Sequence, residues 1–151
     1  MKLKLVTTEN PKKVPEILRE KSKKIKEITP DLFDLSSDML KIMKKNKGIG
    51  LAAIQVGIPI RMIVISLDDS DYTFINPEIV SFSKKEVVYN EGCLSFPEIF
   101  EDVSRPEIVK VRATNLNGKK IEIDADGIGA RVLQHEIDHL EGVVFVDRIK
   151  N

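Results

Sequence analysis

The sequence predicts an α+β fold, with short antiparallel β-sheets packed around a buried C-terminal helix. Three observations predict it. Residues 30–45 carry helix start and stop signals around an apolar stripe. Short apolar or alternating runs fill the middle of the chain. A second helical segment with two apolar stripes closes it.

The first 28 residues carry the weakest pattern, because Pro11 and Pro15 interrupt it; a short helix is expected over residues 16–24. The next segment is clearer. Thr29 can cap a helix with Pro30 at its first position, Asp31 and Asp34 sit near its start, and lysines fill the last turn before Gly48. Leu32, Leu35, Met39 and Ile42 share one face of it. The continuous apolar run Met62-Ile63-Val64-Ile65 suits a strand buried on both faces. Residues 73–76, 79–82 and 86–89 read as further short strands, with Pro77 between the first two. Val109, Val111 and Ala113 alternate with Lys110, Arg112 and Thr114. Asn117-Gly118 then predicts a two-residue hairpin turn into residues 119–124, where Ile121 and Ile123 alternate with charges. The last helix is expected from a cap at Asp126 to a stop at Gly142. Leu133, Ile137 and Leu140 form its sheet-packing stripe, and Ile128 and Val132 lead to His135 and His139 on the other.

A chain of 151 residues fits one domain, taken as residues 1–151. With 42% hydrophobic and 32% charged residues it is globular rather than disordered. Acidic and basic residues balance at 24 each, so no global charge argues for nucleic acid or a membrane surface. The lysines between Lys21 and Lys26 read as a solvated face. Met1-Lys2-Leu3-Lys4-Leu5 is no signal peptide, and the mostly apolar stretch 48–60 is too short to span a bilayer. A cytoplasmic protein is expected, with the source open among bacterium, organelle and phage. The lone cysteine, Cys93, can form no internal disulfide.

The strongest chemical signal is His135-Glu136-Ile137-Asp138-His139. Residues four apart on a helix lie one turn above each other, so both imidazoles project to one side and can share a metal ion. Glu136 flanks that ion without needing to ligate it, which suits a general base acting on water. The competing reading, two buried histidines with ordinary partners, is weaker, since these are the only histidines in the chain. A catalytic zinc-type site takes three protein ligands and an open fourth position. Candidates for the third are Cys93 and any nearby carboxylate. A solitary cysteine is more often a small buried hydrophobe. Here Glu91-Gly92-Cys93-Leu94-Ser95 follows a strand, and Gly92 frees the backbone beside the thiol.

Gly48-Ile49-Gly50-Leu51-Ala52-Ala53-Ile54-Gln55 is weak alone. Gly48 and Gly50 suit either a cap and turn or close backbone approach by a ligand. Gln55 among apolar residues must either satisfy its amide internally or serve as an oriented donor.

Together the three segments resemble peptide deformylase, a family with G-x-G-L-A-A-x-Q, then E-G-C-L-S, then Q-H-E-x-D-H-L-x-G. They stand here in that order as residues 48–55, 91–95 and 134–142. The resemblance covers essentially the whole chain. It implies a hydrolase that removes the N-formyl group from formyl-methionyl nascent polypeptides and releases formate. It implies Cys93, His135 and His139 as ligands of iron(II), with zinc, nickel or cobalt as substitutes, and Glu136 as the acid/base. It also implies oxyanion stabilisation by the Gln55 amide and the Leu94 backbone N–H, contact of the Gly50 backbone with the substrate main chain, and a Glu91–Arg105 ion pair behind the cysteine loop. Ile49, Ile128 and Val132 are placed to line an apolar slot for the methionine side chain. Many family members continue into a long C-terminal helix that helps docking near the ribosomal exit tunnel. The sequence given ends at Asn151, so ribosome proximity is expected without that helix. A zincin-like metallopeptidase or an inactive metal-binding paralogue is the alternative; the cysteine loop and the unbroken motifs weigh against both.

Overall fold

A computed structural model describes residues 2–149. Among these residues are seven strands, two α-helices and three short 3₁₀ turns. Strands β1 (Gly50–Ala52), β2 (Met62–Leu67), β3 (Ser70–Phe82), β6 (Ile108–Thr114) and β7 (Lys120–Asp126) form one antiparallel sheet in the order β1-β2-β3-β6-β7. Strands β4 (Glu86–Cys93) and β5 (Phe96–Pro106) form a separate antiparallel hairpin. Helix α1 spans Pro30–Lys45 and helix α2 spans Gly127–Leu140. This is the α+β arrangement the sequence predicts, with α2 packed against both β-sheets.

The apolar run in β2 serves two cores at once. Ile63 and Ile65 face the cluster that contains Leu133, Ile137 and Leu140 of α2. Met62 and Val64 face the other side, against Leu32, Met39 and Met43 of α1. Side chains alternate across a strand, so a sheet with a helix on each face needs apolar residues at every position. The outermost strand β7 covers one face only, and Ile121, Ile123 and Ala125 alternate there with exposed charged residues.

Helix α1 ends in a Schellman motif. Gly48 N–H bonds Met43 C=O at 2.9 Å and Lys47 N–H bonds Lys44 C=O at 3.0 Å. The left-handed residue is Lys47, with φ 58°, not a glycine. Its buried line runs Leu32, Ser36, Met39, Met43, with Leu35 and Ile42 only half-buried beside it. Helix α2 ends the same way, with Gly142 at φ 74°. A side chain at Gly142 would also strike Arg19 C=O, 2.4 Å from the position of its Cβ.

Four expectations change. The helix expected over residues 16–24 is a single 3₁₀ turn, Glu16–Arg19. The Ser22 and Lys23 N–H groups leave it to bond Leu140 C=O and Pro59 C=O. The two strands on either side of Pro77 are one strand, β3. Register shifts around Asn76 and Ile79 absorb the proline, which has no N–H to give a ladder. Asn76 takes φ 51°, and its side chain holds both backbone groups of Ile25. The Asn117-Gly118 turn is wider than two residues: Thr114 pairs with Lys120 and the connection runs from Asn115 to Lys119. Asp126 is the N-cap residue of α2, but its side chain makes no capping bond. Among the described residues no helix is long and apolar enough to cross a membrane.

Candidate active site

The site lies where three pieces of chain meet: the start of β1, the tip of the β4–β5 hairpin, and α2. The N-terminal segment straps two of them together. Val6 N–H donates to Gln55 C=O at 2.7 Å, and Thr8 N–H to Ser95 C=O at 2.8 Å. A groove of about 560 Å³ opens between them.

Cys93 is the last residue of β4, and Leu94-Ser95 turn the chain into β5. The ladder slips at Gly92/Cys93, where Phe96 pairs with Cys93 and Phe100 with Gly92. Such a bulge re-aims a side chain, and here the thiol lines the groove. His135 and His139, one turn apart on α2, bring their ring centroids within 5.1 Å. Cys93 Sγ stands 3.5 Å from His139 Nε2, and the ligating atoms of Cys93, His135 and His139 all lie within 4.8 Å of one another. Sulfur at ~2.3 Å and nitrogen at ~2.0 Å from a tetrahedral ion stand about 3.5 Å apart, so the donor set fits a metal. His139 is fully buried behind the groove wall, whereas Cys93 and His135 reach the groove.

Burial, helped by the charges of His135 and Arg105, holds His139 well below its usual pKa, so it is a neutral donor. Burial acts against the charged form of His135 too, but Glu136, Cys93 and Glu91 outweigh it and raise that imidazole. A cation taken up there must expel the proton. Glu136 is buried beside the triad, with Oε2 4.0 Å from His135 Nε2. Burial pushes its carboxyl up to about 7, against the pull of His135 and Arg105. Its Oε1 has no hydrogen-bond partner among the described residues.

Gln55 sits in the 3₁₀ turn Ala53–Val56 that follows β1. Its Oε1 accepts the Ala52 N–H at 2.9 Å, which fixes the amide's orientation. Nε2 then donates to Ser95 Oγ at 3.0 Å and approaches Cys93 Sγ at 3.5 Å. Gln55 is thus internally bonded and aimed at the triad as well.

The structure brings the other expected residues into the same groove: Gly48, Ile49, Gly50, Leu94, Ile128 and Val132 all line it. Ile49 and Ile128 are half exposed at its rim, at 47% and 43%, while Val132 is buried. The glycines leave room for protein neighbours. A Cβ on Gly48 would lie 2.6 Å from Leu94 Cδ1, and one on Gly50 2.7 Å from Glu136 Oε2.

Behind Cys93, His135 and His139 lies a buried ionic cluster. Glu91 Oε1 accepts from His135 Nδ1 at 2.9 Å and from Arg105 Nη2 at 3.0 Å. Its Oε2 accepts from Arg105 Nε at 2.6 Å and from Arg131. The Glu91–Arg105 pair is therefore present. Burial disfavours the Glu91 carboxylate, but the bonds from His135 and Arg105 and the charge of Arg105 prevail and hold its pKa far below the usual range. Arg105 continues to Asp138 at 2.8 Å, and Asp138 to Arg148 at 2.6 Å. Arg131, Asp138, Arg148, Ser95 and Tyr89 join this site although the sequence alone gives them no role. The available signal was positional: Arg131 interrupts the apolar stripe one turn before His135, and Asp138 stands inside the histidine motif.

Comparison with known proteins bears on the family and the fold. A family model described as polypeptide deformylase matches residues 3–151. A peptide deformylase of Bartonella tribocorum is 47% identical over 96% of this chain and 83% of its own length. One from Rhodopseudomonas palustris is 48% identical over 87% and 79%. Among solved structures, a Synechococcus elongatus peptide deformylase in complex with actinonin superposes with a TM-score of 0.92 at 42% identity, covering 99% of this chain and 79% of that one. The Thermotoga maritima enzyme gives 0.91 at 37%, covering 99% and 98%. With a family model matched over nearly its full length and relatives this similar, the chain belongs to the polypeptide deformylase family.

Proposed function

We propose that this groove hydrolyses the N-formyl amide of formyl-methionyl polypeptides, with Cys93, His135 and His139 holding a divalent metal, iron(II) in the native protein. The observation that carries the reading is the convergence of those three donors within 4.8 Å beside the buried carboxyl of Glu136. Family membership supplies the reaction class.

A metal held there supplies Lewis acidity and makes water a nucleophile near neutral pH. The rest falls to the chain's own groups. Glu136, with its carboxyl near 7, takes the proton of the attacking water and delivers it to the leaving amine nitrogen. The Gln55 Nε2–H that points along the long contact to Cys93 turns to the developing oxyanion, while its bond to Ser95 Oγ keeps the amide in place. The Leu94 N–H is the second donor. The Gly50 backbone borders the substrate main chain, and Ile49, Ile128 and Val132 receive the methionine side chain. The products are formate and a peptide with a free amino terminus.

The partner is thus a nascent chain, met in the cytoplasm close to the ribosome. The experiment is formate release from a formyl-Met peptide by metal-loaded protein, with the same unformylated peptide as control. Formate from the first and no cleavage of the second is expected. Internal cleavage of the unformylated peptide would instead identify a metallopeptidase.

A further inference from the structure

The three proposed ligands belong to two separate bodies. Cys93 belongs to the β4–β5 hairpin, and His135 and His139 belong to α2. The distance between thiol and imidazoles therefore depends on how the hairpin docks on the helix. Two arginines bridge that junction. Arg105, on β5, bonds Glu91 within its own hairpin and reaches Asp138 on α2. Arg131, on α2, reaches the other way. Its Nη1 donates to Glu91 Oε2 and to Val103 C=O at 3.0 Å, and its Nη2 donates to Val87 C=O. Val87 lies in β4 and Val103 in β5, so one guanidinium grips both strands of the hairpin and the carboxylate that bonds His135.

Arg131 has no task in the hydrolysis as proposed above, and its place is an expensive one for a cation. It is 9% exposed, on a stripe otherwise formed by Ile128 and Val132. Arg105 already meets Glu91 with two bonds, so charge compensation alone does not require a second arginine. An apolar side chain would wall the groove as well. What an apolar side chain could not do is hold Val87, Val103 and Glu91 at once. That needs the rigid, planar fork of a guanidinium. The ring of Tyr89, 5.5 Å from Arg131 Cζ, covers the outer face of this fork.

We propose that Arg131 is a positioning residue for the metal triad, locking the β4–β5 hairpin to α2 so that Cys93 meets His135 and His139 in ligating geometry before an ion arrives. This rests on those three residues being the ligands. Outer-shell partners of metal ligands commonly set affinity as well as orientation.

The test uses the full chain stripped of metal and titrated with cobalt(II), whose thiolate charge-transfer band reports coordination by Cys93. Affinity is read by competition with a chelator. Arg131→Leu removes the fork and keeps the wall; Arg131→Lys keeps the charge and loses the fork. Circular dichroism and a melting curve establish that each variant folds. Both variants are expected to bind cobalt(II) at least ~10-fold more weakly than the parent. A merely structural arginine would lower melting temperatures with and without cobalt in parallel and leave affinity unchanged. That result in either folded variant would overturn the proposal. A parent chain that binds cobalt(II) without a thiolate band would instead overturn the ligand set, and the inference with it.

Discussion

His135 Nδ1 donates to Glu91 Oε1 at 2.9 Å, and that bond decides which nitrogen the imidazole offers to the groove. With Nδ1–H bound behind, Nε2 is the free donor in front. The carboxylate that fixes it is held by Arg105 and Arg131. Glu91→Gln leaves two buried cations undercompensated, and breaking a buried pair costs about 3–5 kcal/mol. The pH dependence has a definite sign. The folded-state pKa of Glu91 is depressed, so its contribution is fully present above the ordinary carboxylate value. It is lost as pH falls below that value toward the folded one. Denaturant titrations at several pH values should therefore show parent and variant far apart at neutral pH and converging in acid. A constant gap would mean that Glu91 stabilises the fold by something other than its charge.

Glu136 separates chemistry from architecture. Among the described residues its Oε1 has no hydrogen-bond partner, and its Oε2 approaches only His135 Nε2, at 4.0 Å. Glu136→Gln should keep the metal and the melting temperature while turnover falls by ~10²–10⁴, the usual range for loss of an acid–base group. Near-normal turnover would make the residue structural. Gly50→Ala reaches the same carboxylate from outside, since its new Cβ would lie 2.7 Å from Oε2. It should lower kcat by displacing Glu136, with the metal still bound.

Gln55 is held at both ends, by Ala52 N–H on its oxygen and Ser95 Oγ on its nitrogen. A preorganised donor contributes where charge develops, not where substrate merely binds. Gln55→Ala should therefore lower kcat by ~10²–10³ with a smaller change in KM. A rise in KM alone would restrict Gln55 to ground-state binding. Ser95→Ala should show a weaker version of the same loss, because it frees the amide without removing it.

Much of this was legible in the sequence, for local reasons. Thr29-Pro30 and the terminal lysines bracket α1, four apolar residues in a row mark β2, and the spacing of His135 and His139 fixes one helix face. The rest depends on contacts between distant residues. β5 escaped because Phe96, Ile99, Phe100 and Val103 do not alternate, and its turn, Leu94-Ser95, has no glycine or asparagine to announce it. The turn at residues 16–19 cannot extend once Ser22 and Lys23 bond other segments. Arg131 and Asp138 stand at telling positions, but their partners are invisible until the hairpin folds over them. Ion-pair partners at separations such as 91 and 131 leave no periodic trace.

The side-chain slot makes a quantitative prediction. Methionine carries three more heavy atoms than alanine beyond Cβ, and each buried methylene-sized group contributes ~0.8 kcal/mol. Full burial would give roughly 50-fold discrimination, but Ile49 and Ile128 stand half exposed at the rim and reduce it. Formyl-Met peptides should therefore exceed formyl-Ala peptides in kcat/KM by at least ~10-fold. Val132→Ala, which widens the buried wall, should narrow that ratio. Equal kcat/KM for the two peptides would refute the slot.

The choice of metal rests on redox chemistry, because geometry does not make it. Imidazole and thiolate accept iron(II) and zinc alike, and a tetrahedral fit admits both. The two ions differ in what air does to them. Iron(II) beside a thiolate can be oxidised together with the sulfur, whereas zinc has no redox chemistry of its own. Cys93 is partly accessible and lines the groove, so oxygen can reach it. Apoprotein prepared without oxygen and reloaded separately with iron(II) and zinc should show the iron form faster on a formyl-Met peptide and the zinc form stable in air. His139→Ala, which removes a fully buried donor, should bind neither ion at full occupancy by elemental analysis. If the zinc form matched the iron form in rate and the iron form survived air, iron would lose its claim while the three ligands kept theirs. If His139→Ala retained a full complement of metal, the ligand set itself would be wrong.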